Sequence, residues 1–127
     1  MSAAAMASVR EVQFAAGLPG LAPFTAFRLE PIADAAGLYA LRSAGGEVRL
    51  FVLDAPDDYQ PRLEPGVLAE VGAAEGDEVR VLVVANPADD GVYLNLRAPI
   101  IVHSQTGRGA QVILDEQSYP IRVRLEA

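Results

Sequence analysis

The sequence predicts a mostly β fold, a small single-domain β-barrel-like structure with one short helix. Three observations predict it. Short apolar segments recur along the chain, separated by Gly, Pro and Asp. Several of these segments alternate apolar and polar residues with period two, as strands with one wet face do. The chain has 127 residues, 51% of them hydrophobic, which is enough for one core without a metal or disulfides to staple it.

Taken in order, the expected strands are Val9–Phe14, Phe24–Glu30, Leu38–Ser43, Val48–Asp54, Glu78–Asn86, Val92–Leu96, Pro99–His103, Gln111–Leu114 and Ile121–Leu125. In Val92–Arg97, Val92, Leu94 and Leu96 fall on one face, with Tyr93, Asn95 and Arg97 on the other. In Ile121–Glu126 the same period turns Ile121, Val123 and Leu125 inward. Leu50–Leu53 and Val81–Val84 have no polar face, so these strands are expected to be covered on both sides. Gly17–Gly20 and Pro87–Gly91 are turn sequences, the second ending in the Asp-Gly of tight hairpins. Gly45-Gly46 and Gly107-Arg108-Gly109 offer positive φ at little steric cost. Glu64–Val71 is the helical candidate: Val67, Leu68 and Val71 make one short apolar stripe and Gly72 stops it. With no repeat or linker, the chain reads as one domain over 1–127, its Ala-rich residues 1–8 a candidate disordered segment.

Composition narrows the function. The formal net charge is −7, from 17 acidic and 10 basic residues, and every basic residue is Arg. That balance opposes binding to a phosphate backbone. Without Cys there is no thiolate metal site, disulfide framework or Cys nucleophile. No apolar run approaches the ~20 residues that span a bilayer, and the N-terminus lacks a signal peptide's basic start. The expected setting is the cytoplasm, with protein partners rather than nucleic acid or membrane.

The residues that carry chemistry elsewhere read here as structure. His103 is the one histidine; its neighbour Ser104 points to the opposite strand face, a poor dyad. Asp57-Asp58, Asp89-Asp90 and Asp115-Glu116 fall in expected turns, where Asp bonds the local backbone, and none has calcium-loop spacing. Thr106–Ala110 is followed by a strand, whereas a phosphate loop opens a helix. From the residues alone the chain is an acidic β protein with no catalytic set and no cofactor.

One long stretch says more. Val92–Asp115, with its Asn95-Leu96-Arg97-Ala98-Pro99-Ile100, Thr106, Gly109, Gln111 and Ile113-Leu114, resembles the signature segment of the FliW family of flagellar assembly factors. Tyr119 suits the trailing tyrosine of that pattern. Upstream, Phe14–Leu21, Leu41–Ser43 and Leu50–Pro56 are similar to further family elements in the same order, so the resemblance runs from about Val9 to about Tyr119. It implies a small barrel without catalysis. Such a protein binds the carbon storage regulator CsrA away from its RNA-binding surface and lifts its repression of flagellin translation. Flagellin binds the factor in turn and so sets how much regulator is released. An acidic chain suits approach to a basic RNA-binding regulator. A monomer is expected when free.

The resemblance has departures. Residues 1–8 make a poor replacement for the family's first strand, so an open sheet edge is expected at the N-terminus. The aromatic clusters before Leu41 and Tyr59 are thinned, and interface anchors are often aromatic. The C-terminal Arg124-Leu125-Glu126 stands where many members have His-Pro-Leu. Leu96, Ile100 and Ile113 are expected in the core. The candidate partner contacts are Asp57, Asp58 and Tyr59 in an exposed loop, together with Asn95, Arg97, Ile101 and His103. The competing reading is a diverged β-barrel module for another protein or peptide; a small hydrolase or isomerase using His103 ranks well behind.

Overall fold

The computed structural model describes residues 11–14, 24–34, 37–56, 58–74, 76–114 and 119–125. The expected turn at Gly17–Gly20, the pair Asp115-Glu116 and residues 1–8 lie outside these. The elements are β1 (Glu11–Phe14), β2 (Ala26–Pro31), β3 (Leu38–Ser43), β4 (Arg49–Asp54), α1 (Pro65–Glu70), β5 (Val79–Ala88), β6 (Gly91–His103), β7 (Arg108–Gln111) and β8 (Val123–Arg124).

Strand order is β5-β4-β3-β2-β1-β7-β6, and β6 pairs back onto β5, so seven strands close into a barrel. Strand β8 adds to β6 outside the ring. Neighbours pair antiparallel except β1 and β7, which run parallel, with Phe14 opposite Gly109. The open edge expected at the N-terminus is therefore filled: β1 bonds β2 on one side and β7 on the other.

Alternation explains the interior. Val12 and Phe14 of β1, Phe27 and Leu29 of β2, Leu41, Val52, Leu82, Ile100 and Val102 are buried together. Phe14 and Phe27 meet edge to face at 5.5 Å. A large aliphatic or aromatic side chain buried this fully contributes about 1.5–3 kcal/mol, so this cluster drives closure. Gly109 belongs to the same packing: a Cβ there would lie 2.8 Å from Val12 Cγ1 and 3.1 Å from Phe14 Cε1. Its expected positive φ is not observed; it is required for close approach within β7. Gly107, in the turn before β7, does take the left-handed conformation, at φ 81°.

Two smaller cores lie on the outer wall. Tyr59, Val83, Ala85 and Leu94 are buried with Phe51, Leu53, Leu96, Tyr119 and Val123 packed against them. Val71, Ile101 and Ala110 form the other, with Leu63, Val67 and Val79. The strands Leu50–Leu53 and Val81–Val84 thus have apolar partners on both faces, as their lack of a polar face implied. Helix α1 begins with Pro65, whose fixed φ suits a first turn, and ends before Gly72 at φ 70°. Six residues do not hold a helix in water unaided; the contacts of Val67 and Val71 with the barrel wall do.

Several boundaries differ from expectation. Val92–Leu96 and Pro99–His103 are one strand, because the residues between them bulge without leaving the sheet. The segment expected at Gln111–Leu114 is strand only over Arg108–Gln111. Past its end Val112 and Leu114 turn inward, so Ile113 is 52% exposed instead of core. Ile121 and Leu125 are likewise exposed at 60% and 40%, since β8 spans only Val123–Arg124 and just Val123 packs inward.

Candidate protein-binding site at the β6 bulge

The register of β5 against β6 slips once. Val84 faces Asn95 and Leu82 faces Ile100, so β5 residues 82–84 span β6 residues 95–100. Between these pairs Val83 alone stands against Leu96-Arg97-Ala98-Pro99, which form a bulge that starts from Asn95. A bulge frees backbone groups from the ladder, and buried ones must bond elsewhere.

Each released group has a partner. Asn95 Oδ1 accepts from the N–H of Arg97 at 3.0 Å and of Ala98 at 3.2 Å. The Leu96 N–H donates to the Pro120 carbonyl, and the Leu96 carbonyl accepts the Tyr59 hydroxyl at 2.5 Å. The Arg97 carbonyl accepts from the Leu114 N–H, the Ala98 carbonyl from Gln111 Nε2, and the Pro99 carbonyl from the Val112 N–H. Pro99 has no N–H to lose, which suits it to this position. Arg97 Nε donates to the Tyr119 carbonyl at 2.9 Å, and the Tyr119 ring meets Tyr59 edge to face at 4.8 Å. Four separate stretches of chain, around residues 59, 97, 112 and 119, are therefore locked together at this bulge. Burial, followed by the neighbouring Tyr119, pushes the Tyr59 pKa up to about 12.

The candidate contact residues fall into distinct settings. Asp57 lies outside the described residues, and Asp58 is exposed. Tyr59, expected in an exposed loop, is 7% exposed, because its hydroxyl is drawn to the bulge and its ring to the outer core. Asn95 and Arg97 are half-buried, their polar atoms turned onto the backbone. Ile101 is fully buried against Val71, which follows α1. It offers no surface to a partner.

His103 is also buried. Its Nδ1 accepts the N–H groups of Gln105 and Thr106 at 3.1 and 3.3 Å, while Nε2 lies 3.1 Å from Asp77 Oδ2. Since Nδ1 accepts, Nε2 carries the proton and donates to Asp77. The Ala74 N–H, and then His103, hold the Asp77 carboxyl below its ordinary pKa. This histidine fastens the turn after β6 to the loop before β5 and leaves no ring nitrogen for a partner or a substrate. Nothing in the sequence marks Asp77 as its mate, 26 residues away. Among the described residues no three of His, Asp and Glu gather as a metal site, and no helix is long and apolar enough to cross a membrane.

The bulge is where the family-like residues meet: Asn95, Ala98, Pro99, Gln111, Leu114 and Tyr119 all bond or pack there. The model of the family described as FliW protein matches residues 2–125. The chain belongs to the FliW family. A flagellar assembly factor FliW of Exiguobacterium sp. is 31% identical over 120 residues, covering 90% of this chain and 82% of that protein. Flagellar assembly factor FliW 2 of Desulfotalea psychrophila is 33% identical over 117 residues, covering 88% and 78%. The FliW of Geobacillus kaustophilus is 32% identical over 121 residues, covering 90% and 83%. A crystal structure of the flagellar assembly factor FliW superimposes with a TM-score of 0.83 over 93% of this chain and 86% of that one, at 24% identity. The FliW barrel is thus shared, and in this chain the segment that resembles the family's signature forms the bulge.

Proposed function

We propose that this chain is a flagellar assembly factor that works by binding proteins, without catalysis, in the cytoplasm. Its partners in this reading are the carbon storage regulator CsrA, whose repression of flagellin translation it relieves, and flagellin, which competes for it. The free chain is a monomer. The observation that carries the reading is the family match over residues 2–125, with the signature segment intact as a bonded bulge. Two further features agree with it. The net charge of −7 suits approach to a basic regulator. The one histidine has both ring nitrogens engaged in structural hydrogen bonds.

The contact surface in this reading runs from the loop at Asp57, Asp58 and Tyr59 across to Asn95 and Arg97. Asp58 supplies exposed charge, and Tyr59, Asn95 and Arg97 hold the loop and bulge in register. Titration calorimetry of this chain against the regulator and the flagellin of its own genome tests the proposal. Saturable binding to both, with flagellin displacing the regulator, is the expected result. Absence of heat with either partner at tens of micromolar overturns it and favours a diverged barrel serving another protein or peptide.

A further inference from the structure

The exposed large hydrophobic side chains of the described residues are Ile113, Ile121 and Leu125. All three lie on chain that runs along one edge of β6. The N–H groups of Val112 and Leu114 donate to the carbonyls of Pro99 and Arg97, that of Leu96 to Pro120, and that of Leu125 to Val92. Single exposed aliphatics are ordinary on a protein surface; a set confined to one edge is not.

At β8 this edge is open. Tyr93 pairs with Arg124 and Leu94 with Val123, and antiparallel neighbours alternate between hydrogen-bonded and non-bonded pairs. The Leu125 N–H reaches the Val92 carbonyl at 2.8 Å, so Val123 and Leu125 turn their main-chain groups toward β6. Arg124, between them, turns its N–H and carbonyl the other way. No strand among the described residues lies on that side, and no described residue bonds those two groups. Native edges are usually blunted by charge or by cover. Here the Arg122 guanidinium is drawn over the Tyr93 ring, 3.6 Å from its centre, and aliphatic side chains flank the bare backbone.

We propose that the free edge of β8 takes an extended segment of a partner protein by strand addition, one with a large aliphatic residue at every second position. An N–H and a carbonyl aimed outward from a strand are matched by the backbone of another strand. Val123 packs into the outer core with Val92 and Leu94, while Ile121 and Leu125, two positions to either side, are exposed. Aliphatic side chains on an added strand continue that core outward. Four steps of strand span about 13 Å, so five residues reach from Ile121 to Leu125. The positions between face Arg122 and Arg124, which excludes Lys and Arg there. A second copy fails the same condition, because two β8 strands laid antiparallel set arginine opposite arginine. The assignment does not rest on the regulator or the flagellin of the preceding proposal.

Fluorescence anisotropy tests it, with a labelled Ser-Val-Glu-Val-Glu-Val-Ser peptide and a counterpart carrying Lys in place of Glu. The full chain is expected to bind the Glu peptide, and the Lys peptide at least about tenfold more weakly, against the direction that its net charge of −7 favours. Arg124→Pro removes the outward N–H and no bond to β6, and should abolish binding. Arg124→Gln keeps that N–H and should change affinity less than about threefold. The surface variant I121S/L125S, which leaves the ladder intact, should lose at least about tenfold. With the Glu peptide bound, the Arg124 amide should become protected from hydrogen exchange. The proposal is overturned by no binding at about 1 mM peptide, by binding that survives either Arg124→Pro or I121S/L125S unchanged, or by a dimer of the chain that Arg124→Pro abolishes, which would give the edge to a second copy.

Discussion

The Tyr59 hydroxyl donates to the Leu96 carbonyl at 2.5 Å, tying the loop after β4 to the middle of the β6 bulge across 37 positions of sequence. Removing the hydroxyl leaves a half-buried carbonyl without that donor, so Tyr59→Phe is expected to cost about 1–2 kcal/mol in urea unfolding. The pH dependence reports the burial of that hydroxyl beside Tyr119. The folded-state pKa of Tyr59 is raised to about 12, above the ~10 of an unfolded chain. The protonated hydroxyl therefore contributes fully below pH ~10, and its contribution drains away as pH climbs toward 12. Tyr59→Phe should show a smaller loss of stability than the parent over that interval.

Gly109 is expected to reject even one methyl group. A Cβ there meets Val12 and Phe14 in the barrel interior, where neither can retreat from a closed ring. Gly109→Ala should lower stability by about 1–3 kcal/mol, the usual cost of overpacking. Gly66 in α1 is the contrast: a Cβ there would have nothing within 4 Å, and the backbone is ordinary. Gly66→Ala should instead raise stability, by up to about 0.5–1 kcal/mol. Chemical denaturation of the two variants beside the parent checks both signs.

Alternation along single strands is the readable part of this fold. Val12, Phe14, Phe27 and Leu29 follow from neighbours two residues away, and they are buried. What depends on partners distant in sequence is not readable. Tyr59 reads as a loop residue because its acceptor lies 37 positions on, and Ile101 reads as available because the helix that covers it comes some thirty residues earlier. Ile113 belongs in the core only if the strand continues past Gln111, where it stops. The open edge at Arg124 needs the register of β8 on β6, which no single segment encodes. The family-like residues are visible as a string, but only the slipped register shows that they are one bulge.

Asn95 distinguishes an architectural from a contact role for that string. Its Oδ1 accepts two backbone N–H groups of the bulge. Asn95→Ala is expected to cost about 1–3 kcal/mol by leaving both donors short of an acceptor, whereas Asn95→Asp retains the acceptor and should recover most of the loss. If Asn95 served only partner contact, both variants would unfold like the parent and differ only in regulator binding. Urea unfolding and calorimetry on the same preparations separate the two outcomes.

Acid should loosen the turn after β6 through Asp77. Its carboxylate accepts the Ala74 N–H at 2.9 Å and the His103 Nε2–H at 3.1 Å, and these bonds hold its folded pKa below the unfolded value. A depressed carboxylate pKa contributes stability that is complete above the unfolded value of about 3.9 and is lost as pH falls through the lower folded value. Asp77→Asn has no charge to titrate, so its melting temperature should fall less steeply than the parent's once the pH drops below about 4. The difference between the two melting curves, followed from neutral pH downward, isolates this carboxylate from the other acidic residues. Parallel curves would mean that ionisation of the Asp77 carboxyl adds nothing to the stability of the folded state.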